Sequence, residues 1–422
     1  MLDDGTISLH AISGAFSRSM NFPFDFASSR DEQGFLLTGA DTGELKALLA
    51  ELGAAWNPVV LRAHPRLKGW AGLDLPRELG GSSWCALQMV RVFRGCGRHD
   101  VELRDLPGAG HARLLHLVQS QRFDTVLSAV AEGRYYCAIA ITEPDVGSDM
   151  QAMKTTATPA EGGYRLNGAK EYIARMAEST HVIVFARVAR PTEPPLISAF
   201  LIPKDAPGVA VEALSPMGLC NVSWARVTLR EVQVPLSTRI GGEGQGMSLF
   251  RRHFCYWRTM MAAVAIGSAQ AVVDQTTRRM KTRLAFGGPI GRFSHLQQAL
   301  ARHVAQLRMA SLLVDRVAAD IDAHRWPVFD AAMAKAEAVE AAIAATEWGM
   351  STFGAAGYEV ACGLEKRYRD LLGLRIADGT TDLLRGQVAR AFLGEQLYAL
   401  SLNRVARRGF GSDDQQRQFW DA

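Results

Sequence analysis

The stretch RIADGTTDLLRGQVAR, residues 375–390, places a single carboxylate, Asp378, before a Gly-Thr-Thr turn and a helix-like run. Two roles are open to it. A carboxylate in a dry pocket can take a proton from a carbon acid, because burial raises its pKa toward working pH. A carboxylate near a helix start can instead satisfy the orphan N–H groups there. In AIAITEPDVGSDM, residues 138–150, a strand-like run ends at Thr142 and Glu143-Pro144 stops it. The DVGSD turn then gathers backbone N–H groups and the hydroxyls of Thr142 and Ser148. That set can hydrogen-bond a planar heterocycle at a sheet edge, and it can equally be an ordinary turn. GEGQGM, residues 242–247, approaches a dinucleotide glycine motif but lacks its last glycine and its βαβ setting. It reads as a connection into the next helix.

Three groups of elements must position these residues. DTGELKALLAELGAAW, from Asp41, reads as a helix capped by Asp41 or Thr42, with Leu45, Leu48, Leu49 and Leu52 as its stripe. DLPRELGG is a turn, and ALQMVRVFRGCG and ARLLHLVQSQRFDTVLSAVAEG continue the helical pattern. The middle changes to short β-branched runs: YYCAIAIT, YRLNGAKEYI, THVIVFARV, LISAFLIP, GVAVEAL and ARVTLREVQVP. Strands without intervening helices disfavour a doubly wound parallel sheet. The helical period then returns at Phe254, Trp257, Met261, Val264, Gly267 and Ala271. It continues at Phe293, Leu296, Leu300, Val304, Leu307 and Leu312, over Phe329 to about Thr352, and from Thr381. Four long apolar helices predict a four-helix bundle. The expected fold is α+β, with an arm over 1–40, a helical domain over 41–135, a central antiparallel β-domain over 136–240 and a C-terminal helical bundle over 241–422.

Composition narrows the function. Lysine and arginine total 47 against 43 acids, which carries no nucleic-acid signature and suits an anionic ligand or an acidic carrier protein. The six cysteines form no C-x-x-C pair and the ten histidines no H-E-x-x-H, so no metal site is expected. No apolar run is long enough to span a membrane and no signal sequence opens the chain, so a cytoplasmic protein is expected.

Taken in order, ITEPDVGSDM, GYRLNGAKEYIA, RVTLREVQVP, GGEGQGM, WRTMMAAVAIGSAQ, RLAFGGPI, FGAAGY with LEKRYRD, and DGTTDLLRGQVAR resemble the acyl-CoA dehydrogenase family of flavoproteins. The resemblance spans about residues 41 to 400 and implies FAD. Under it, Ile141, Thr142, Gly147 and Ser148 match the loop lining the flavin ring, and Tyr172 matches an aromatic, usually Trp, packed against it. Arg283 and Phe286 match residues reaching the FAD of a neighbouring subunit, implying a homodimer or homotetramer. Gly354, in FGAAG, lies near the diphosphate, and Thr380 and Asp382 near the adenosine end. Asp378 falls where many members keep a glutamate base, with Ser148, Arg258 and Gly379 at the substrate. The implied reaction is α,β-dehydrogenation of an acyl thioester on CoA or a carrier protein. A carboxylate takes the α-proton while hydride leaves the β-carbon for flavin N5. An electron-transfer flavoprotein or oxygen is the implied electron acceptor.

The chain departs from the family at several of these positions. Asp378 is one methylene shorter than Glu, and Trp257 stands at the alternative base position. Ala174 replaces a Thr that bonds flavin N5, and Val146, Ser351 and Ala355 replace a small residue, a Gln and a Gly. Cys255 and Ala377 replace polar or aromatic substrate neighbours. These changes keep two alternatives open. One is an oxidase or monooxygenase like the nitroalkane oxidases, which use Asp as base. The other is a non-catalytic FAD-binding subunit in which Asp378 only caps a helix. Without the resemblance, Arg258 reads chiefly as a structural ion-pair partner, and Arg369 and Asp370 as braces of the bundle.

Overall fold

A computed structural model of the chain describes residues 39–52, 56–190 and 196–401. Most of the arm expected over residues 1–40 lies outside the described residues. The chain divides into two compact units, 1–51 and 52–422. The described element of the first is α1 (Gly39–Leu52). It starts before Asp41, so neither Asp41 nor Thr42 is its cap. Its buried leucines are Leu45 and Leu48, whereas Leu52 faces outward and does not extend the stripe.

The second unit begins with short 3₁₀ turns and α2 (Ala86–His99), whose start is closed by the Cys85 N–H donating to the Gln88 side chain at 3.0 Å. The helix expected across 112–133 is instead two: α3 (Arg113–His116) and α4 (Asp124–Ala131). Gln119 takes a left-handed φ of 48° and Ser120 is extended, which breaks the period.

Eight strands follow: β1 (Cys137–Ala140), β2 (Thr156–Ala160), β3 (Gly163–Ala174), β4 (His181–Val188), β5 (Ile197–Pro203), β6 (Val209–Leu214), β7 (Trp224–Pro235) and β8 (Arg239–Ile240). They form one sheet in the order β6-β7-β3-β2-β4-β5-β8, with β1 also on β4. The expectation of an antiparallel domain needs one correction, because β1 and β2 both pair parallel to β4. β1 covers His181 to Val184 of β4 and β2 covers Arg187 and Val188. The chain therefore leaves the sheet after β1 and re-enters beside the same strand at β2. The 141–155 loop fills that break.

Alternation along β4 separates two cores, as the pleat requires. Ile183 and Phe185 face Leu114, Leu127 and Leu249, while Val182, Val184 and Ala186 pack with Leu166, Phe200 and Val227.

The last third begins with α5 (Gly246–Thr282), buried on nearly every side from His253 to Ala269. A hairpin, β9 (Leu284–Ala285) and β10 (Gly288–Pro289), precedes α6 (Ser294–Asp322), α7 (Val328–Phe353), α8 (Leu364–Ile376) and α9 (Thr381–Ser401), the last interrupted at Gly394. α5 packs on α2, α6 and α7, and α7 also holds α8 and α9. The seam expected along α6 is only partly internal. Leu307 is buried beside Ala310, Val314 and Val317, but Leu312 is 58% exposed and Val304 40%. Among the described residues no helix is long and apolar enough to cross a membrane.

Candidate active site

The 141–155 loop is closed from within. Glu143 and Val146 exchange backbone hydrogen bonds at 2.9 and 3.1 Å. The Glu143 carboxylate accepts from the Lys154 and Thr155 N–H groups at 2.6 and 2.9 Å. Lys170, fully buried on β3, donates to the Ile141 carbonyl and to Glu143, both at 2.9 Å. Burial pushes the Lys170 ammonium down to about 8, with Glu143 opposing the fall. A buried pair with these additional hydrogen bonds fixes the loop on the strand and is costly to break on one side only.

One residue further, β3 carries a bulge. Its pairing with β7 shifts register between Lys170 and Ile173, so Glu171 and Tyr172 lie opposite one residue. The Glu171 N–H donates to the Thr142 carbonyl at 2.9 Å, and its carboxylate holds Arg226. Tyr172 is turned out with a left-handed φ of 60° and is 57% exposed. Two predicted segments far apart in sequence therefore form one platform of Ile141, Thr142 and Tyr172. Gly147 and Ser148 are exposed at its rim, with open space where a Gly147 side chain would stand. An exposed aromatic held in strained backbone beside a polar loop fits a planar ring.

Asp378 lies in the α8–α9 turn, half-buried, with φ of 62°, and Gly379 follows at φ 102°. It is not the cap of α9. The Thr380 hydroxyl accepts from the Leu383 N–H at 3.2 Å, which is the capping bond. The Asp378 carbonyl accepts from Arg258 Nε at 2.9 Å, and the Gly379 carbonyl from Lys335 Nζ at 2.8 Å. Arg258 is thus tied to the turn's backbone rather than serving only as an ion-pair partner within the bundle. The Asp378 charge acts favourably on Arg258, on Lys335 and on Arg175 at the end of β3. Arg175 couples the turn electrostatically to the β3 end that carries Tyr172.

Arg175 opens a buried polar network that no sequence motif announces, because its members lie far apart along the chain. Its guanidinium pairs with Asp105 at 2.7 Å and approaches His111 at 3.4 Å, and its own φ is 66°. His111 and His253 share a hydrogen bond of 3.0 Å, and Trp257 lies against His111 with ring centres 4.7 Å apart. Burial opposes the Arg175 charge, but Asp105, Tyr136 and Asp378 outweigh it and hold the guanidinium above its usual range. Burial pushes His253 down to about 3 and His111 well below the ordinary histidine range. Both imidazoles are neutral at pH 7.

The remaining predicted residues lie elsewhere. Phe286 and Gly287 form the two-residue turn of the β9–β10 hairpin with φ of 51° and 85°, and Phe286 is 89% exposed. Arg283 is exposed at its base. Gly354 borders a cavity of about 340 Å³ with Glu347, Ser351, Gly357, Tyr358 and Tyr368. Asp382 is exposed in the first turn of α9, after the capping Thr380. The Asp100, Glu102 and Asp370 carboxylates stand close enough to share an ion, but Lys366 already bonds all three. Asp370 also accepts from the Leu219 N–H at 2.6 Å, and Arg369 holds Glu365 and the Met217 carbonyl, both bracing roles.

Comparison with known proteins bears on this geometry. Residues 138–232 match the acyl-CoA dehydrogenase middle domain and residues 244–393 the acyl-CoA dehydrogenase C-terminal domain. The chain is 29% identical over 334 residues to an L-prolyl-[peptidyl-carrier protein] dehydrogenase of Serratia sp., covering 76% of this chain and 85% of the relative. It is 30% identical over 331 residues to the probable acyl-CoA dehydrogenase YngJ of Bacillus subtilis, covering 77% and 87%. Among solved structures, the FAD complex of PigA is similar with a TM-score of 0.74 and 25% identity, over 85% of this chain and 98% of that one.

Proposed function

Because the chain belongs to the acyl-CoA dehydrogenase family, we propose that it is an FAD-dependent oxidoreductase that dehydrogenates an acyl thioester between Cα and Cβ, with Asp378 as the base. The observation that carries this reading is the surroundings of Asp378. A half-buried carboxylate in a strained turn, free of capping duty, is flanked by three buried cations. The residues also fit the cofactor. Tyr172 and the 141–148 loop offer a platform for a ring, and Gly354 borders a cavity.

In this reading Ile141, Thr142, Gly147, Ser148 and Tyr172 hold the ring system. Gly354 lies toward the diphosphate, and Thr380 and Asp382 toward the adenosine end. Bound FAD supplies an acceptor for the hydride that leaves Cβ. Asp378 takes the α-proton, and the positive surroundings stabilise the negative charge that develops on the thioester oxygen. Arg258 holds the Asp378 carbonyl and so fixes where the carboxylate starts. Ser148 and the Gly379 backbone line the substrate side.

The same cations bear on the acyl group. Arg175, Arg258 and Lys335 outnumber Asp378 and Asp105, the partner of Arg175, and the excess of positive charge disfavours a protonated amine there, so a neutral or acidic acyl group fits better than a prolyl group. CoA or a carrier protein can present it through a shared pantetheine arm. An electron-transfer flavoprotein or oxygen then takes the electrons. Arg283 and Phe286, exposed on the hairpin, are proposed to reach the cofactor of a second copy, making the working form a homo-oligomer.

The test is an anaerobic screen of the holoprotein with butyryl-, succinyl- and prolyl-pantetheine thioesters, their CoA or carrier-protein forms, and nitroethane. The expected result is bleaching of the flavin with a 2,3-unsaturated product, faster with butyryl or succinyl than with prolyl thioesters. Reduction by nitroethane alone would favour the oxidase reading, to which an aspartate at 378 lends support.

A further inference from the structure

Lys335 lies in the middle of α7 and is fully buried. Ala332 and Ala336, on the same helix, form a small buried apolar cluster with Leu384. A fully buried ammonium is an expensive way to fill such space, and an apolar side chain of similar length commonly packs there at no loss. Bundle packing alone therefore gives no reason for a charge at this position.

The position of that charge gives one. Lys335 Nζ donates at 2.8 Å to the Gly379 carbonyl, crossing from α7 to the α8–α9 turn. Arg258 reaches the preceding carbonyl, of Asp378, from α5 at 2.9 Å. Two cations on two helices thus hold successive carbonyls of a turn whose two residues are both left-handed. Three charged groups act on Lys335: Asp378 on the turn, Arg258 on α5 and Glu340 on α7 itself. Glu340 is committed to Arg375 at 2.5 and 2.9 Å and to the Thr381 hydroxyl at 2.8 Å. Asp378 is then the carboxylate that the ammonium chiefly serves.

We propose that Lys335 is a positioning residue for Asp378, holding the Gly379 carbonyl so that the strained turn keeps one conformation and supplying positive charge beside the carboxylate. The inference deepens the reading of Asp378 as the base and rests on it. Burial pushes the ammonium down to about 8, with Asp378 opposing the fall, so the group is charged at neutral pH.

The experiment compares wild type, Lys335→Met, Lys335→Gln and Lys335→Arg holoproteins with Asp378→Asn. One readout is anaerobic flavin reduction by butyryl-pantetheine against pH. The other needs no turnover: the position and width of the ¹³Cγ signal of Asp378 at pH 7, identified by its loss in Asp378→Asn. The Met and Gln variants should reduce flavin about 10- to 100-fold more slowly, the scale of a displacement near 1 Å. Their Asp378 ¹³Cγ signal should shift or broaden, because the turn no longer keeps one conformation. Arg should restore both. Should Met disturb the bundle, Gln, which is polar but one bond shorter than Lys and uncharged, carries the same comparison. A rate and an Asp378 ¹³Cγ signal unchanged in Met or Gln would overturn the proposal while leaving the base intact. An Asp378→Asn protein reduced as fast as wild type would remove the base and this proposal together.

Discussion

Asp378 keeps a backbone conformation that a non-glycine residue holds only when its surroundings impose it. Two carbonyl bonds do so here, and the short aspartate side chain is built into that geometry. Lengthening it is predicted to harm rather than help. Asp378→Glu keeps a base but shifts its oxygens by about 1.5 Å, and flavin reduction should slow about 100-fold with FAD still bound. Stopped-flow reduction checks this. A second prediction concerns the alkaline side. Lys335 is charged below about 8 and loses its proton above it. The rate should therefore fall as pH rises through about 8, and Lys335→Arg, which stays charged, should keep the rate level to about pH 10.

Helix α2 lies unusually close to α5. A Cβ on Gly97 would stand 2.1 Å from the Val264 carbonyl oxygen, and one on Gly267 would stand 2.0 Å from that of Arg94. The two glycines face opposite ways across one crossing, so the helices meet backbone to backbone. Gly97→Ala or Gly267→Ala should force them apart and cost about 1–3 kcal/mol, read as a lowered urea midpoint. At this scale much of the fold was legible from periodicity: α2, six of the eight strands of the main sheet, and α5 to α7 lie where the pattern puts them. The misses have particular causes. β2 is short, exposed and contains Pro159, so it has no alternation to detect. The break between α3 and α4 depends on one left-handed residue, Gln119, which no pattern marks. Asp378 and Thr380 are both capping types two residues apart, and only the hydrogen bond to Leu383 assigns the cap to Thr380. Lys335 sits in an Ala-rich helix where its partner, 44 positions away, cannot be read from spacing.

Two properties belong to the whole molecule. The first is sensitivity to acid. His111 and His253 have folded-state pKa values pushed below the unfolded value by burial. Their contribution to stability is complete above about pH 6.5 and is lost as pH falls below it, for His253 down to about 3. His253 removes up to about 1.4 kcal/mol per pH unit in that window, and His111 acts in the same direction. Urea unfolding at pH 7 and pH 5 should show the loss, and His253→Gln should flatten it. The second is assembly. Leu284, Phe286, Val304, Met309 and Leu312 leave apolar surface on the hairpin and α6, beside a groove of about 510 Å³. A second copy is the proposed cover, and Leu312→Asp should shift the protein toward monomer in light scattering and release FAD.

The most direct measurement is anaerobic titration of the bound flavin with butyryl- and succinyl-pantetheine in wild type and Asp378→Asn. Wild type should bleach within seconds while the variant keeps its FAD and stays oxidised, at least about 100-fold slower. Bleaching of Asp378→Asn at the wild-type rate, or a wild type that binds FAD and is reduced by no thioester, would contradict it.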